Sequence, residues 1–518
     1  MRTFAIILVL STLAVAGEPP EDPEGSAIKL KQPKSIVAAL EDSFVEAIAA
    51  AEPSVVAIAR VKSETGETLA VLGRMDPQPD PDRTRGLVER DFRDRGFRNR
   101  RAQMLMRQGL ALNDLDQDDL ADNLEFDYGS GVVVGNEGQI LTAYHVVKGA
   151  RRLRVRAFGR KQFDAVIIAA DPRCDLAVIV PFGDDPPKLK PIALGNSIKL
   201  RKGSFLIALG NPYNAARDGA ASAAWGILAN TSRRVEPPRA GGAPPQLHNY
   251  PIMLQLDAKL NLGMSGAPVV NLNGELVGLT TTAGDPEGFD PKAGYAIPMD
   301  RLGRRAVKSL MEGSEVEYGF LGINLPTVRF QQEEFGGKTN IVADVTAGTP
   351  ADIGNLLKGD EILQVGEIPV YDSDTLVLAV GSYPVGEPVA LKIRRDDKII
   401  HKTVFLSKYP TEGDIIATNR PEPWRGIRVD YTSTLATSTF GRGVLDEMAK
   451  SLVAIVEVVP GSPADQAGLK KGRLVVKAGE RKVNKPSDFY AIAAKLKGDV
   501  PIETESGIVV VREPKNVN

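Results

Sequence analysis

The stretch Leu260-Asn261-Leu262-Gly263-Met264-Ser265-Gly266-Ala267-Pro268 places one serine between two glycines on a tight, turn-forming background. A serine hydroxyl is a weak nucleophile at neutral pH and needs a neutral imidazole within hydrogen-bond reach. The chain has only 3 His. His248 lies in a Pro-rich loop and His401 in a strand-like run, and both read as structural or exposed. His145 is different: it closes the run Gly138-Gln139-Ile140-Leu141-Thr142-Ala143-Tyr144-His145-Val146-Val147. An imidazole acting as base needs a carboxylate behind it to hold its tautomer and stabilise its charged form. Asp175 stands thirty positions on, in Asp171-Pro172-Arg173-Cys174-Asp175-Leu176-Ala177-Val178, and Ser265 ninety further. The oxyanion of acyl transfer needs backbone N–H donors. Gly263 lets the chain turn so that the N–H groups of Gly263 and Ser265 converge. Alone, His145 reads as a surface or packing residue, Asp175 as a turn residue entering a strand, and the serine motif as a Gly-rich turn. Together, in this order, they read as a nucleophile, a base and an orienting acid.

Composition narrows the alternatives. Lys+Arg is 64 against Asp+Glu 66, so no basic excess points to nucleic acid. A single Cys excludes an intrachain disulfide framework, a zinc ribbon and an iron–sulfur cluster. No HExxH occurs, so a zincin-type metalloprotease is excluded. At about 100–200 residues per domain, 518 residues imply roughly three or four domains.

The N-terminus has one Arg, the apolar run Phe4–Leu10 and a small-x-small ending at Ala16, which reads as a secretory signal peptide cut after Ala16. An uncleaved anchor is the alternative. Residues 17–34 read as a flexible segment. Ser35–Ala51 carries apolar residues at helical spacing, and Ser54–Ala59 reads as a first strand. A charged insertion, 62–127, interrupts the pattern; it is a solvated loop with a helix or two, or else a lid or subunit-contact arm. From Gly129 to Asp300 short apolar runs alternate with Gly, Pro and Asn. Examples are Val132–Val134, Val166–Ala169, Leu176–Val180, Phe205–Leu209, Pro268–Val270 and Leu276–Leu279. This is the text of a β-barrel or sandwich. Val307 to Val316 reads as a helix running into a linker. The last two hundred residues hold a weak repeat: Gly348-Thr349-Pro350-Ala351-Asp352 recurs as Gly461-Ser462-Pro463-Ala464-Asp465, a spacing of 113 residues. That spacing is domain-sized, so a module is duplicated.

The order His, Asp, Ser is that of chymotrypsin-like enzymes on paired β-barrels. Several segments together resemble the HtrA/Deg (Do-like) serine endoproteases: Gly129–Val134, Ile140–Val147, Asp175–Val178, Leu209-Gly210-Asn211-Pro212, Gln255–Ala258, Asn261–Pro268 and Gly294–Pro298. The duplicated modules look like the PDZ domains that follow such proteases. The resemblance implies a mostly β fold: a double-barrel protease domain over 35–312, then α+β PDZ domains over 315–408 and 423–515, joined by a linker, 409–422. It implies an ATP-independent serine endopeptidase that degrades unfolded or misfolded exported proteins as a homotrimer or larger homo-oligomer, with no metal or cofactor; the signal peptide makes the chain periplasmic or secreted, and no later apolar run is long enough for a membrane span after signal cleavage.

Residue by residue, the resemblance makes His145, Asp175 and Ser265 the triad, and Gly263 and Ser265 the oxyanion donors. Leu260 matches a position lining an apolar specificity pocket. Leu321, Gly322 and Ile323 in the first module, and Arg425, Gly426 and Ile427 in the second, match the loop that captures a peptide C-terminus; both modules could equally serve as spacers and assembly contacts. The family usually has Gly-Asn-Ser-Gly-Gly around its nucleophile. Met264 and Ala267 depart from that, and Ala267 is tolerated if its φ is negative. A protease-like chaperone with weak or no catalysis is the alternative those departures motivate.

Overall fold

The computed structural model describes residues 36–62, 68–72, 126–183, 185–211, 219–234, 252–261, 263–281, 294–326, 333–409, 414–435 and 453–513. The signal peptide, the 17–34 segment, most of the 62–127 insertion and His248 lie outside them. Helix α1 (Ile36–Ala51) stops where Pro53 removes an N–H donor, and its last turns bury Ala47 and Ala51. Its N-terminal turn, with Ile36 and Val37, is exposed.

Six strands close the first barrel: β1 (Val55–Lys62), β2 (Phe126–Val133), β3 (Ile140–Ala143), β4 (Ala150–Ala157), β5 (Lys161–Asp171) and β6 (Leu176–Phe182). Their order is β5-β4-β1-β2-β3-β6, and β5 pairs with β6 to close the ring. One strand serves both neighbours because β5 is long, 11 residues, and shifts register between Ile167 and Ala169. Such irregularities bend a strand and permit closure. The four-residue helix α2 (Tyr144–Val147) follows β3 directly.

The second barrel comprises β7 (Phe205–Gly210), β8 (Ser222–Arg234), β9 (Ile252–Leu256), β10 (Pro268–Val270), β11 (Leu276–Thr281) and β12 (Gly294–Pro298), closed in the order β10-β11-β12-β9-β8-β7. Each barrel has its own apolar filling: Ile58, Ile140, Leu153 and Ile179 are among the residues of the first, and Leu206, Leu228, Leu254 and Val269 among those of the second. A further cluster, with Val55, Leu141, Leu209 and Ile297, draws on strands of both. The β-rich reading of Gly129–Asp300 and its two six-stranded barrels are therefore observed.

The helix expected over Val307–Val316 begins already at Arg301 and ends at Met311 (α3, Arg301–Met311). Its charged start hides the signal, but the Asp300 carboxylate caps it by accepting from the Gly303 N–H at 2.8 Å, and Leu302, Ala306, Val307 and Leu310 form its buried stripe. Gly313 at φ 71° ends the turn that follows.

The two C-terminal modules share the topology of their four-stranded sheet. In the first, strands Glu361–Val365, Ile368–Pro369, Pro388–Arg395 and Lys398–Phe405 form a four-stranded sheet; in the second, Val475–Ala478, Arg481–Lys482, Val500–Thr504 and Gly507–Val511 pair in the same order. The repeated Pro-Ala-Asp opens a short helix in both, Pro350–Ile353 and Pro463–Gln466. In both, its Asp accepts from a glycine N–H at 2.8 Å, Gly348 to Asp352 and Gly461 to Asp465. Between the modules, Ile416–Ala417 pairs antiparallel with β5 of the first barrel. The Thr418 N–H donates to Ile168 O at 3.1 Å and the Asn419 N–H to Gly313 O at 2.9 Å. This segment is thus docked onto the protease barrel.

Candidate active site

His145 sits one residue into α2, where the chain leaves β3 in extended conformation at Ala143. Its Nδ1 lies 2.8 Å from Asp175 Oδ2 and 3.0 Å from Oδ1, and its backbone N–H donates to Oδ1 at 3.0 Å. A carboxylate oxygen accepts, so this pairing fits the tautomer with the proton on Nδ1, in which a neutral ring presents Nε2 as the acceptor. Asp175 is itself held from the other barrel: the Thr281 hydroxyl, at the end of β11, donates to Oδ2 at 2.7 Å. The Asp175 backbone is left-handed, φ 53°, and the Tyr144 N–H donates to its carbonyl at 2.9 Å.

The serine loop is fixed by the strands it touches. The Ser130 N–H donates to Ser265 O at 2.8 Å, and the Ser130 hydroxyl donates to Gly263 O at 2.8 Å while accepting from the Asn211 N–H at 3.2 Å. The Met264 N–H closes a turn onto Asn261 O at 3.1 Å, with Gly263 at φ 90°. Gly266, at φ 79°, is wedged against the first barrel: a Cβ there would strike the Ser130 carbonyl and the Thr142 hydroxyl and come within 2.9 Å of the Ala143 nitrogen. Ser265 is therefore carried to the end of β3, from which His145 departs. Thr280 completes the frame, its hydroxyl donating to Met264 O and accepting from the Ala267 N–H.

Neither departure from the family's motif strains this loop. Met264 is buried in the second barrel's core, and Ala267 is absent from the residues of positive φ, so its Cβ carries no left-handed penalty. Leu260 is half-buried against that same core and lies over Gly294, where a Cβ would come within 2.7 Å of Leu260 Cδ1. The neighbouring Tyr144 phenol is pushed up to about 12 by burial, reinforced by Asp414, Asp175 and Asp171, and so stays neutral.

Residue types alone gave no sign of Thr281, Ser130, Thr142 or Thr280. Thr280 and Thr281 read simply as β-favouring residues at a strand end. Among the described residues no group of His, Cys, Asp and Glu is arranged to hold a metal ion.

A trypsin-like peptidase domain model matches residues 129–279 and a PDZ domain model matches residues 319–406. A probable periplasmic serine endoprotease, DegP-like, of Chlamydia trachomatis serovar D is 29% identical over 384 residues, 72% of this chain and 70% of that protein. The periplasmic pH-dependent serine endoprotease DegQ of Escherichia coli K12 is 28% identical over 73% of this chain and 78% of its own length. This chain is strongly homologous to the HtrA-type serine endoproteases with a C-terminal PDZ domain. Its activity is that of a serine-type endopeptidase. The solved HtrA-type protease AlgW with a tripeptide aligns at a TM-score of 0.46 and 23% identity, over 71% of this chain and 98% of that one.

The two C-terminal modules place their Leu321–Ile323 and Arg425–Ile427 loops alike but do not finish them alike. Gly322, φ 82°, abuts Thr349, and Gly426, φ 91°, abuts Ser462, so in each module a side chain at the glycine would collide with the cap of the short helix behind it. In the first module Leu321 is buried and Ile323 pairs with Val345. In the second, Arg425 is left-handed, φ 50°, stacks 4.7 Å over Trp424 and donates to Val511 O at 2.8 Å. The strand Ile427–Tyr431 is also met by Tyr490 of helix Pro486–Ala493: the Val429 N–H donates to the Tyr490 hydroxyl at 3.1 Å, and that hydroxyl lies 3.4 Å from Val429 O. His401, in the first module, is exposed.

Proposed function

We propose that Ser265 is the nucleophile of this endopeptidase, His145 its base and then acid, and Asp175 the carboxylate that fixes the imidazole. The observation that carries this is the His145–Asp175 pair, 2.8 Å from Nδ1 to Oδ2, beside a serine loop hydrogen-bonded to Ser130 of β2, the strand that pairs with β3. Ser265 Oγ attacks the scissile carbonyl and its proton passes to His145 Nε2. The tetrahedral oxyanion is met by the N–H groups of Gly263 and Ser265. Collapse expels the amine, which takes the proton from Nε2, and water hydrolyses the acyl-enzyme by the same route. Leu260 lines the pocket before the cut and favours a small or medium aliphatic side chain.

The substrates are unfolded or misfolded exported proteins, cleaved without ATP, and the site of action is the periplasm or beyond, reached through a signal peptide cut after Ala16. The relatives named as periplasmic endoproteases support this. A peptide C-terminus adds as a strand to the first module, its carboxylate taken by Leu321, Gly322 and Ile323. The matching Arg425, Gly426 and Ile427 serve a groove that Tyr490 already occupies. Assembly into a homotrimer or larger homo-oligomer would cover the aromatic group of Phe44, Phe205 and Trp225, whose rings meet at 5.3–6.1 Å and of which Trp225 is 61% exposed. The deciding experiment is digestion of unfolded casein by the purified chain beside Ser265→Ala. Cleavage that vanishes in the folded variant supports the reading, and equal cleavage by both ends it.

A further inference from the structure

Asp175 holds a left-handed backbone without being a glycine, and such conformations persist only where the surroundings over-determine them. Two residues before it, Arg173 is tied to the start of the same loop. The Asp171 carboxylate accepts from the Arg173 backbone N–H at 2.9 Å, from Nε at 2.9 Å and from Nη2 at 2.8 Å. One side chain thus closes the 171–173 turn from both ends, and the pair is almost fully excluded from water. Burial works against the guanidinium charge, but the Asp171 hydrogen bonds and the charges of Asp171, Tyr318 and Glu315 outweigh it and hold the group firmly protonated.

Arg173 is held in turn by a segment outside both barrels. Nη2 donates to Val316 O at 2.8 Å and lies 3.5 Å from Glu315 Oε1, and the guanidinium sits 4.7 Å over the Tyr318 ring. Residues 315–318 lead from α3 into the first module. Glu315 Oε2 meets Lys408 Nζ at 3.0 Å, and Lys408 Nζ meets Asp430 Oδ2 at 2.8 Å. Lys408 stands at the end of the first module and Asp430 on the first strand of the second, and Lys408 too is buried. A continuous line of paired charges runs from the Asp175 loop to both modules.

We infer that Arg173 is a positioning residue for peptide cleavage, setting Asp175 behind His145 through Asp171, and that Glu315 and Lys408 set Arg173. The inference rests on Asp175 being the triad carboxylate. Removing the guanidinium lets the Asp175 loop relax, so the imidazole loses its oriented partner in the transition state while substrate binding is untouched.

The test uses the full mature chain and a fluorogenic peptide with an aliphatic residue before the cut. Arg173→Gln should lower kcat about 10- to 100-fold with KM within about twofold, and move the acid limb of the kcat/KM profile to lower pH, because the imidazolium is less stabilised. Arg173→Lys should restore part of the rate. Lys408→Met should shift kcat and the acid limb in the same direction by a smaller factor. Should Arg173→Gln fail to fold because it strands the Asp171 charge, Asp171→Asn/Arg173→Gln, which removes both charges, is read in its place together with Lys408→Met. An unchanged kcat and acid limb in folded Arg173→Gln, or in that double variant, overturns the inference. Asp175→Asn run alongside separates the two claims: full activity there defeats the triad assignment, whereas its loss beside an unaffected Arg173 variant defeats only the positioning role.

Discussion

The Thr281 hydroxyl donates to Asp175 Oδ2 at 2.7 Å, so a strand of the second barrel holds the carboxylate that orients the first barrel's histidine. The two barrels are therefore joined at the site by hydrogen bonds and close contacts: Ser265, Gly263 and Gly266 of the second barrel lean on Ser130 and Thr142 of the first.

Thr281→Val should preserve the fold and remove one hydrogen bond to a charged, buried acceptor. Such bonds contribute about 1.5–3 kcal/mol, equivalent to roughly a 10- to 100-fold fall in kcat/KM. Steady-state cleavage of a peptide substrate, with circular dichroism as the fold control, measures it.

Gly266→Ala combines left-handed strain of about 1–2 kcal/mol with a collision against the Ser130 carbonyl and the Thr142 hydroxyl. Activity should fall to background and the melting temperature should drop. Ala267→Gly, one residue on, should retain cleavage, since Ala267 needs no positive φ. Thermal melts and cleavage assays on the two variants check the contrast.

Tyr490→Ala should free the Val429 N–H and carbonyl and give the second module a peptide site. Labelled C-terminal peptides, titrated by fluorescence anisotropy, should bind the wild-type chain at one site per subunit and the variant at two. Gly322→Val should abolish the first of these, because its side chain would displace Thr349.

The Cys174 thiol is fully buried, and burial together with Asp171 raises its pKa well above the ordinary value. A raised folded value means that the native thiol stays protonated while the unfolded one ionises, so stability is kept below the unfolded value and falls as pH rises past it. Native protein should therefore resist thiol reagents at pH 9 and react on denaturation. Cys174→Ala should show a shallower alkaline loss of melting temperature than the wild type.

Residue types and spacing alone carry the order of His145, Asp175 and Ser265, the β-rich body from Gly129 to Asp300, and the duplication marked by Pro350-Ala351-Asp352 and Pro463-Ala464-Asp465. These are legible because nucleophilic catalysis restricts residue types, strands alternate, and a Pro opening a helix behind a Gly loop leaves a local signature. Of α3 only the second half reads as helix, since its Arg-rich start obscures the apolar stripe. Folding alone establishes the contacts between residues far apart in the chain: Thr281 on Asp175, Ser130 on Gly263, Arg173 on Val316, Tyr490 on Val429 and the docking of Ile416–Ala417 on β5. Threonine, serine, arginine and tyrosine have many ordinary uses, and a hydrogen bond spanning a hundred residues leaves no periodicity behind. Only the closure of the barrels and the packing of the modules bring those donors and acceptors together.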